Sequence, residues 1–283
     1  MTKIEDLQRT ATQVRRDIVR MVHGQNSGHP GGALGAADFL TALYFEILDH
    51  NPCKFNTNGI GEDIFFLSCG HLSAGWYSVL ARSGYFDLAE LASFRKIDSR
   101  LQGHPATAEG LPGIRIASGS LGQGLSVAAG AAQAKKLNGD NKLVFSLHGD
   151  GELQEGQIWE AAMYATHHKV DNLIATVDYN KKQIDGPTDT VMSLGDLKAK
   201  WLAFGWDALE TDGNRMSLLI ETLKEAIRHT GKGKPVVILM KTEMGMGVDF
   251  MIGTSEWHGK APNDEQLGKA LAQLEETLGD YPV

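Results

Sequence analysis

Cysteine is scarce. The 283 residues hold two, Cys53 and Cys69, without metal-ligand spacing. That excludes a disulfide framework and a thiolate cluster, and suggests reduced thiols. Long apolar runs are missing too: none approaches the ~20 residues needed to cross a bilayer. Residues 1–20 are charged and amphipathic and lack the apolar centre of a signal peptide, so the expected location is cytoplasmic with no membrane partner. Positive charge is in deficit, with 27 Lys and Arg against 35 Asp and Glu, a net charge of −8. A nucleic-acid partner is therefore not expected, because that needs a basic footprint. Internal repeats and low-complexity blocks are absent. What remains is a chain that is 42% hydrophobic and long enough for an ample core. No linker demands a boundary, so residues 1–283 are read as a single domain, with a helical tail over 263–283.

Apolar periodicity alternates between two and 3.6. Helices are expected over residues 4–24, 35–47, 74–82, 88–94, 122–137, 155–168, 194–204 and 216–229, and an amphipathic one over 263–278. Buried strands are expected over 64–67, 142–148, 172–178, 207–210 and 235–241. This order implies an α/β fold, a three-layer sandwich around a parallel sheet.

The segment of greatest chemical content is GDGELQEGQIWEAAMYATHHKVDNLIATVDYN, residues 149–180. The apolar run KLVFSLH ends at GDG, which puts Asp150 at a strand tip. A helix and a second strand follow, and Asn180 closes that strand. A crossover of this length makes the two strands parallel, so both tips open on one edge of the sheet, where α/β sheets bind ligands. Asp150 and Asn180 can then share one ion. A hard cation such as Mg²⁺, or Ca²⁺ or Mn²⁺ in its place, takes few oxygen ligands from protein and fills the remainder with phosphate and water. The flanking glycines admit phosphate oxygens, and the helix N-terminus favours their charge. Taken alone, GDG is more simply a strand-ending turn with a solvated Asp; the Asn at the next strand end turns the balance toward a magnesium-bound diphosphate. His148, just before GDG, either lies near the site or merely ends the strand.

Several segments together resemble the transketolase family, in order from about residue 17 to 262. They are NSGHPGGALGAADFLTALYF (26–45), GHLSAGWYSVL (70–80), GHP (103–105), SGSLGQGLSVAAGAA (118–132), GDG with EGQIWEAA and DYNKKQIDG, and EWHGKAP (256–262). The resemblance implies the thiamine diphosphate-binding fold, its diphosphate-binding domain, and thiamine diphosphate with Mg²⁺ as cofactors. Asp150, Asn180 and the carbonyl of Lys182 would hold the metal. The family more often has an apolar residue at that last position, and the lysine puts a cation near the diphosphate or at a subunit surface. His29, in a Gly/Pro-rich turn, and His258 would contact the reacting sugar hydroxyls. His104 would line the substrate channel, and His71 the diphosphate and thiazolium side. Gly119, Ser120 and Leu121 would give main-chain contacts to the cofactor, Gly151 would help hold its diphosphate, and Ile184 would pack near the aminopyrimidine. Each has a plainer reading: a loop His is usually a polar surface residue, small residues allow close helix packing, and an Ile is ordinary core.

The implied activity is transfer of a two-carbon ketol unit between sugar phosphates, on the pentose phosphate route or in a specialised sugar pathway. Imidazole suits the proton traffic of that reaction. Nothing after residue 262 could encode the family's pyrimidine-binding and C-terminal domains. The expected partner is therefore a separately encoded subunit carrying them, in an α2β2 assembly, with activity only in the complex. Two alternatives stand beside this: the alpha subunit of a 2-oxoacid dehydrogenase, and a non-catalytic protein that binds the cofactor.

Overall fold

A computed structural model describes residues 2–282. The expected domain of 1–283 extends one residue beyond that range at each end.

Helix α1 (Lys3–Gly24) starts from a capping box in which Thr2 and Glu5 satisfy each other's backbone amides. Its inward face carries Val14, Ile18 and Val22, all fully buried. Helix α2 (Pro30–Ala42) is buried along its whole length, as a helix apolar on every side must be. It begins five residues before the expected start at 35 and passes into a π turn at Leu43–Ile47. Pro30 at the first helical position needs no amide partner and already has helical φ. The glycines after it belong to the helix rather than to a turn, because α2 lies directly on the chain near residues 243 and 257. A Cβ on Gly31 would stand 2.8 Å from the Trp257 carbonyl oxygen, and one on Gly35 2.9 Å from that of Glu243.

Strand β1 (Ile64–Leu67) leads into α3 (Ser73–Arg82). The expected helix at 88–94 is a 3₁₀ segment, Leu88–Ser93, with Asp87 accepting from the Ala89 amide. Then follow α4 (Gly124–Leu137), β2 (Val144–Gly149), α5 (Gly156–His167) and β3 (Leu173–Tyr179). A two-residue hairpin, β4 (Lys182–Gln183) and β5 (Gly186–Pro187), and the short α6 (Thr188–Met192) had no sequence signal. Helix α7 (Leu197–Ala203), capped by Asp196, precedes β6 (Asp207–Asp212), α8 (Met216–His229) and β7 (Val236–Lys241). The tail helix α9 (Asp264–Gln273) is shorter than the expected 263–278. Beyond it the chain runs back along α1, where Asp280 pairs with Arg16 at 2.8 Å and Tyr281 is buried.

The five long strands form one parallel sheet in the order β1-β2-β3-β7-β6. Helices α4 and α5 pack together over one face, while α1, α2, α3 and α8 form the layer on the other, as the three-layer expectation requires. The chain steps across the sheet from β1 to β3, passes to the edge for β6, and returns to β7. Its connections thus change faces at the junction of β3 and β7, the kind of crevice in which α/β sheets bind ligands. Register makes the tips level there: Gly149 pairs with Asp178, and Asp178 with Met240. Among the described residues no helix is long and apolar enough to cross a membrane.

Candidate functional site

A cavity of about 350 Å³ opens over those strand tips. Asp150, Gly151, Asn180 and Lys182 line its floor, and His29, His71, His104 and His258 line it too. Gly119, Leu121 and Ile184 complete the expected set; Ser120 is exposed and does not line the cavity. Ile184 is 65% exposed, so its apolar side chain is not core.

On the floor, Asp150 is 2% exposed. It accepts hydrogen bonds from the Gly151 amide at 2.7 Å and the Lys181 amide at 2.5 Å. Asn180 donates to Asp178 at 2.9 Å, and its side-chain oxygen accepts from the Lys182 amide at 2.8 Å. Burial, and then the neighbouring charge of Asp178, push the Asp150 carboxyl up to about 8. Asp178 itself is raised to about 6 by burial, against the hydrogen bonds of Thr242 and Asn180. Two buried carboxylates that resist ionising side by side are the natural complement of a cation. The oxygens present, one carboxylate, one amide and a main-chain carbonyl, fit a hard ion that keeps phosphate and water in its shell. Among the described residues no cluster of three His, Cys, Asp or Glu side chains is placed to hold a metal alone. Gly151 leaves the approach open: a Cβ there would already stand 3.2 Å from the Gln183 Cβ.

Four histidines from four distant segments meet across the cavity. The His29 ring lies 5.3 Å from that of His71, 5.8 Å from His258 and 6.0 Å from His104, and the His71 and His258 rings are 5.1 Å apart. Burial, followed by mutual repulsion, lowers His29 to about 4 and His71 to about 3. His104 and His258 are also lowered, chiefly by burial. All four are thus neutral imidazoles at pH 7, each able to donate on one nitrogen and accept on the other. The Nδ1 of His258 is buried without a partner.

Three residues that sequence reasoning missed hold this arrangement. Asp178 reads as the last residue of an apolar strand, and only its buried acidity signals a role. Glu152 ties two cavity-lining segments together, accepting from the amides of Gly122 at 2.9 Å and Gly149 at 3.0 Å and from the Ser68 hydroxyl. Burial pushes Glu152 upward, but His148, Ser68 and the Gly122 amide prevail and hold its carboxyl below the usual range. His148 is fully buried within β2, 3.8 Å from Glu152, so it braces the floor from behind and does not end the strand. Arg95 is the third; it stands behind His29.

A parallel α/β sheet with an oxygen-rich floor at its strand tips and histidines facing it defines the class of α/β proteins whose ligand sits outside the carboxyl ends of the strands. The chain belongs to the transketolase family: residues 7–280 match the family model described as transketolase, thiamine diphosphate binding domain. It is 38% identical over 276 residues to one of the subunits of the apulose-4-phosphate transketolase of Phocaeicola vulgatus, covering 98% of this chain and 96% of that protein. The 6-deoxy-6-sulfo-D-fructose transketolase subunit SqwG of a Clostridium species is 37% identical, with 95% and 96% covered. Among solved structures, the Campylobacter jejuni transketolase superposes with a TM-score of 0.88 at 35% identity over 96% of this chain. The Leishmania mexicana transketolase gives 0.89 at 29% identity over 100% of it. This chain spans 43% of the length of each of those two solved chains.

Proposed function

We propose that this chain is the diphosphate-binding subunit of a two-subunit transketolase, which moves a two-carbon ketol unit from a ketose phosphate to an aldose phosphate. The observation that carries the reading is the meeting of the Asp150 and Asn180 floor with four neutral histidines in one cavity. Asp150, the Asn180 side-chain oxygen and the Lys182 carbonyl would hold Mg²⁺, and Gly151 would lie against the diphosphate. Thiamine diphosphate, when bound, supplies the electron sink for the carbon–carbon bond that breaks. The protein's part is position and protons. His29 and His258 hold sugar hydroxyls, each as a neutral imidazole that donates on one nitrogen and accepts on the other. His71 faces the cofactor side, His104 lines the channel, and the backbone at 119–121 and the Ile184 side chain bound the cofactor.

Relatives that are themselves named as transketolase subunits match this chain over nearly the full length of both proteins, which supports a single diphosphate-binding domain here. The partner subunit would carry the pyrimidine-binding and C-terminal domains, in an α2β2 assembly. Two of the relatives are named for apulose 4-phosphate and 6-deoxy-6-sulfo-D-fructose, which supports a specialised sugar as substrate. Cys53 and Cys69 are unbridged, which suits a reducing cytoplasm.

The test is ketol transfer from xylulose 5-phosphate to ribose 5-phosphate with thiamine diphosphate and Mg²⁺, comparing the chain alone with the complex it draws from its host. Turnover is expected in the complex alone. Asp150→Asn should abolish that turnover and also remove the thermal stabilisation that cofactor with Mg²⁺ confers on the wild type. Cofactor-dependent stabilisation with no turnover on any sugar phosphate would instead leave a non-catalytic binding protein. Oxidation of a 2-oxoacid with an electron acceptor would indicate the dehydrogenase reading.

A further inference from the structure

Arg95 occupies an unusual place. Its φ of 57° is left-handed, a conformation that costs a non-glycine residue of order 1 kcal/mol or more and persists only where surroundings enforce it. Here they do. The Arg95 amide donates to the Leu101 carbonyl at 2.8 Å, turning the side chain inward past Gly103. A Cβ at 103 would displace the guanidinium from this position, since it would stand 2.6 Å from the guanidinium carbon. The glycine of the GHP motif thus makes room for the arginine.

Among the described residues the inward guanidinium meets no carboxylate. Its side-chain hydrogen-bond partners among the described residues are the Ser27 hydroxyl, at 2.9 Å, and Nδ1 of His29, at 3.5 Å, while its Nε is buried without a hydrogen-bond partner. A guanidinium only donates, so the nitrogen it faces must present a lone pair. The proton of neutral His29 is then left to Nε2, the nitrogen near Gly259. Protonation of both nitrogens is opposed by the adjacent arginine and by the N-terminus of α2, which begins at the residue after His29.

We infer that Arg95 is a positioning residue that holds His29 as its Nε2–H tautomer, so that His29 offers the cavity a hydrogen-bond donor rather than a base. On the proposed ketol transfer, on which this inference rests, His29 then donates to a sugar oxygen as negative charge builds on it. Proton removal falls to another member of the histidine group.

The tautomer can be read without substrate or turnover. In the full chain labelled with ¹⁵N-histidine, long-range ¹H–¹⁵N spectra at pH 7, assigned by loss of signals in His29→Asn, should show Nε2 protonated and Nδ1 bare. Arg95→Met should bring in the Nδ1–H form and raise the pH at which His29 titrates. Arg95→Lys, still only a donor, should restore the single tautomer. In the assembled enzyme Arg95→Met should lower kcat by roughly a hundredfold, with a smaller change in KM and partial recovery in Arg95→Lys. Nδ1–H in the wild type overturns the inference even if Arg95→Met does not fold. So does an unchanged tautomer in a folded Arg95→Met, or a changed tautomer with undiminished kcat. Because the spectra need no ketol transfer, the tautomer assignment stands or falls independently of the proposed reaction.

Discussion

Asp178 stands next to last in a strand whose other residues are mostly apolar, and nothing in NLIATVD distinguishes it from a residue on its way to solvent. In the folded protein it is 2% exposed and its carboxyl receives Thr242 and Asn180. Asn180 was legible because its position at a strand end has meaning along the chain, whereas the role of Asp178 depends on Thr242, just past a strand that follows much later. The histidines show the same division. Their presence in turn motifs was visible, but their neutrality comes from burial in one another's company. That neutrality has a measurable consequence. An unfolded His titrates near 6.5, while His29 and His71 in the native state wait until about 4 and about 3. Between pH 6.5 and 4 the unfolded chain therefore binds protons that the native chain refuses, and stability falls as pH drops through that window. Urea midpoints measured from pH 7 to 4.5 should decline for the wild type and decline less steeply for His71→Asn. Parallel curves would show that His71 titrates normally.

Among the elements, long periodic ones were legible and close-packed or very short ones were not. Helix α1 and strands β1, β2, β3 and β7 fall within two residues of expectation at each end. Helix α2 did not, because its first turn is built of Pro and Gly, residues that in isolation signal a turn; what makes it helical is its fit against residues 243–244 and 257. The hairpin β4/β5 has two residues per strand, too few for any period. The glycine run before α4 was read both as cofactor loop and as packing surface, and the packing half is explicit at Gly124. A Cβ there would stand 2.3 Å from the Ser68 Cβ and 2.8 Å from its Cα. In Gly124→Ala the helix-propensity gain of about 1 kcal/mol should be outweighed by overpacking of about 1–3 kcal/mol. Because the Gly124 amide also donates to Ser68 at 3.0 Å, the displaced first turn should carry residues 119–122 with it. Urea unfolding should show net destabilisation, and calorimetric titration of thiamine diphosphate with Mg²⁺ should show weaker binding. Unchanged affinity would mean that the loop is positioned independently of α4.

Across the whole molecule, the helical layer is pinned by buried ion pairs. Arg82 grips Asp17 with bonds of 2.5 and 2.8 Å, Ser78 adds a third at 2.6 Å, and Arg15 pairs with Asp38. Asp17→Asn leaves the Arg82 guanidinium buried without its counter-charge, a change that costs about 3–5 kcal/mol. Since Arg82 ends α3 and His71 precedes its start, urea stability should fall by that amount while cofactor affinity in the folded protein stays within about twofold, as expected for distant sites. A large loss of affinity would mean that the layer transmits strain to the cavity. The sequence by itself determined the α/β alternation, because periods of two and 3.6 are local properties of the backbone. It also determined that Asp150 and Asn180 share an edge, because a crossover of that length admits one handedness. Only tertiary structure decided that β6 lies outside β7, that Arg95 turns inward to His29, and that His29, His71, His104 and His258 surround one cavity. Those outcomes depend on burial and close contact between segments far apart in the chain, whose energies no local pattern encodes.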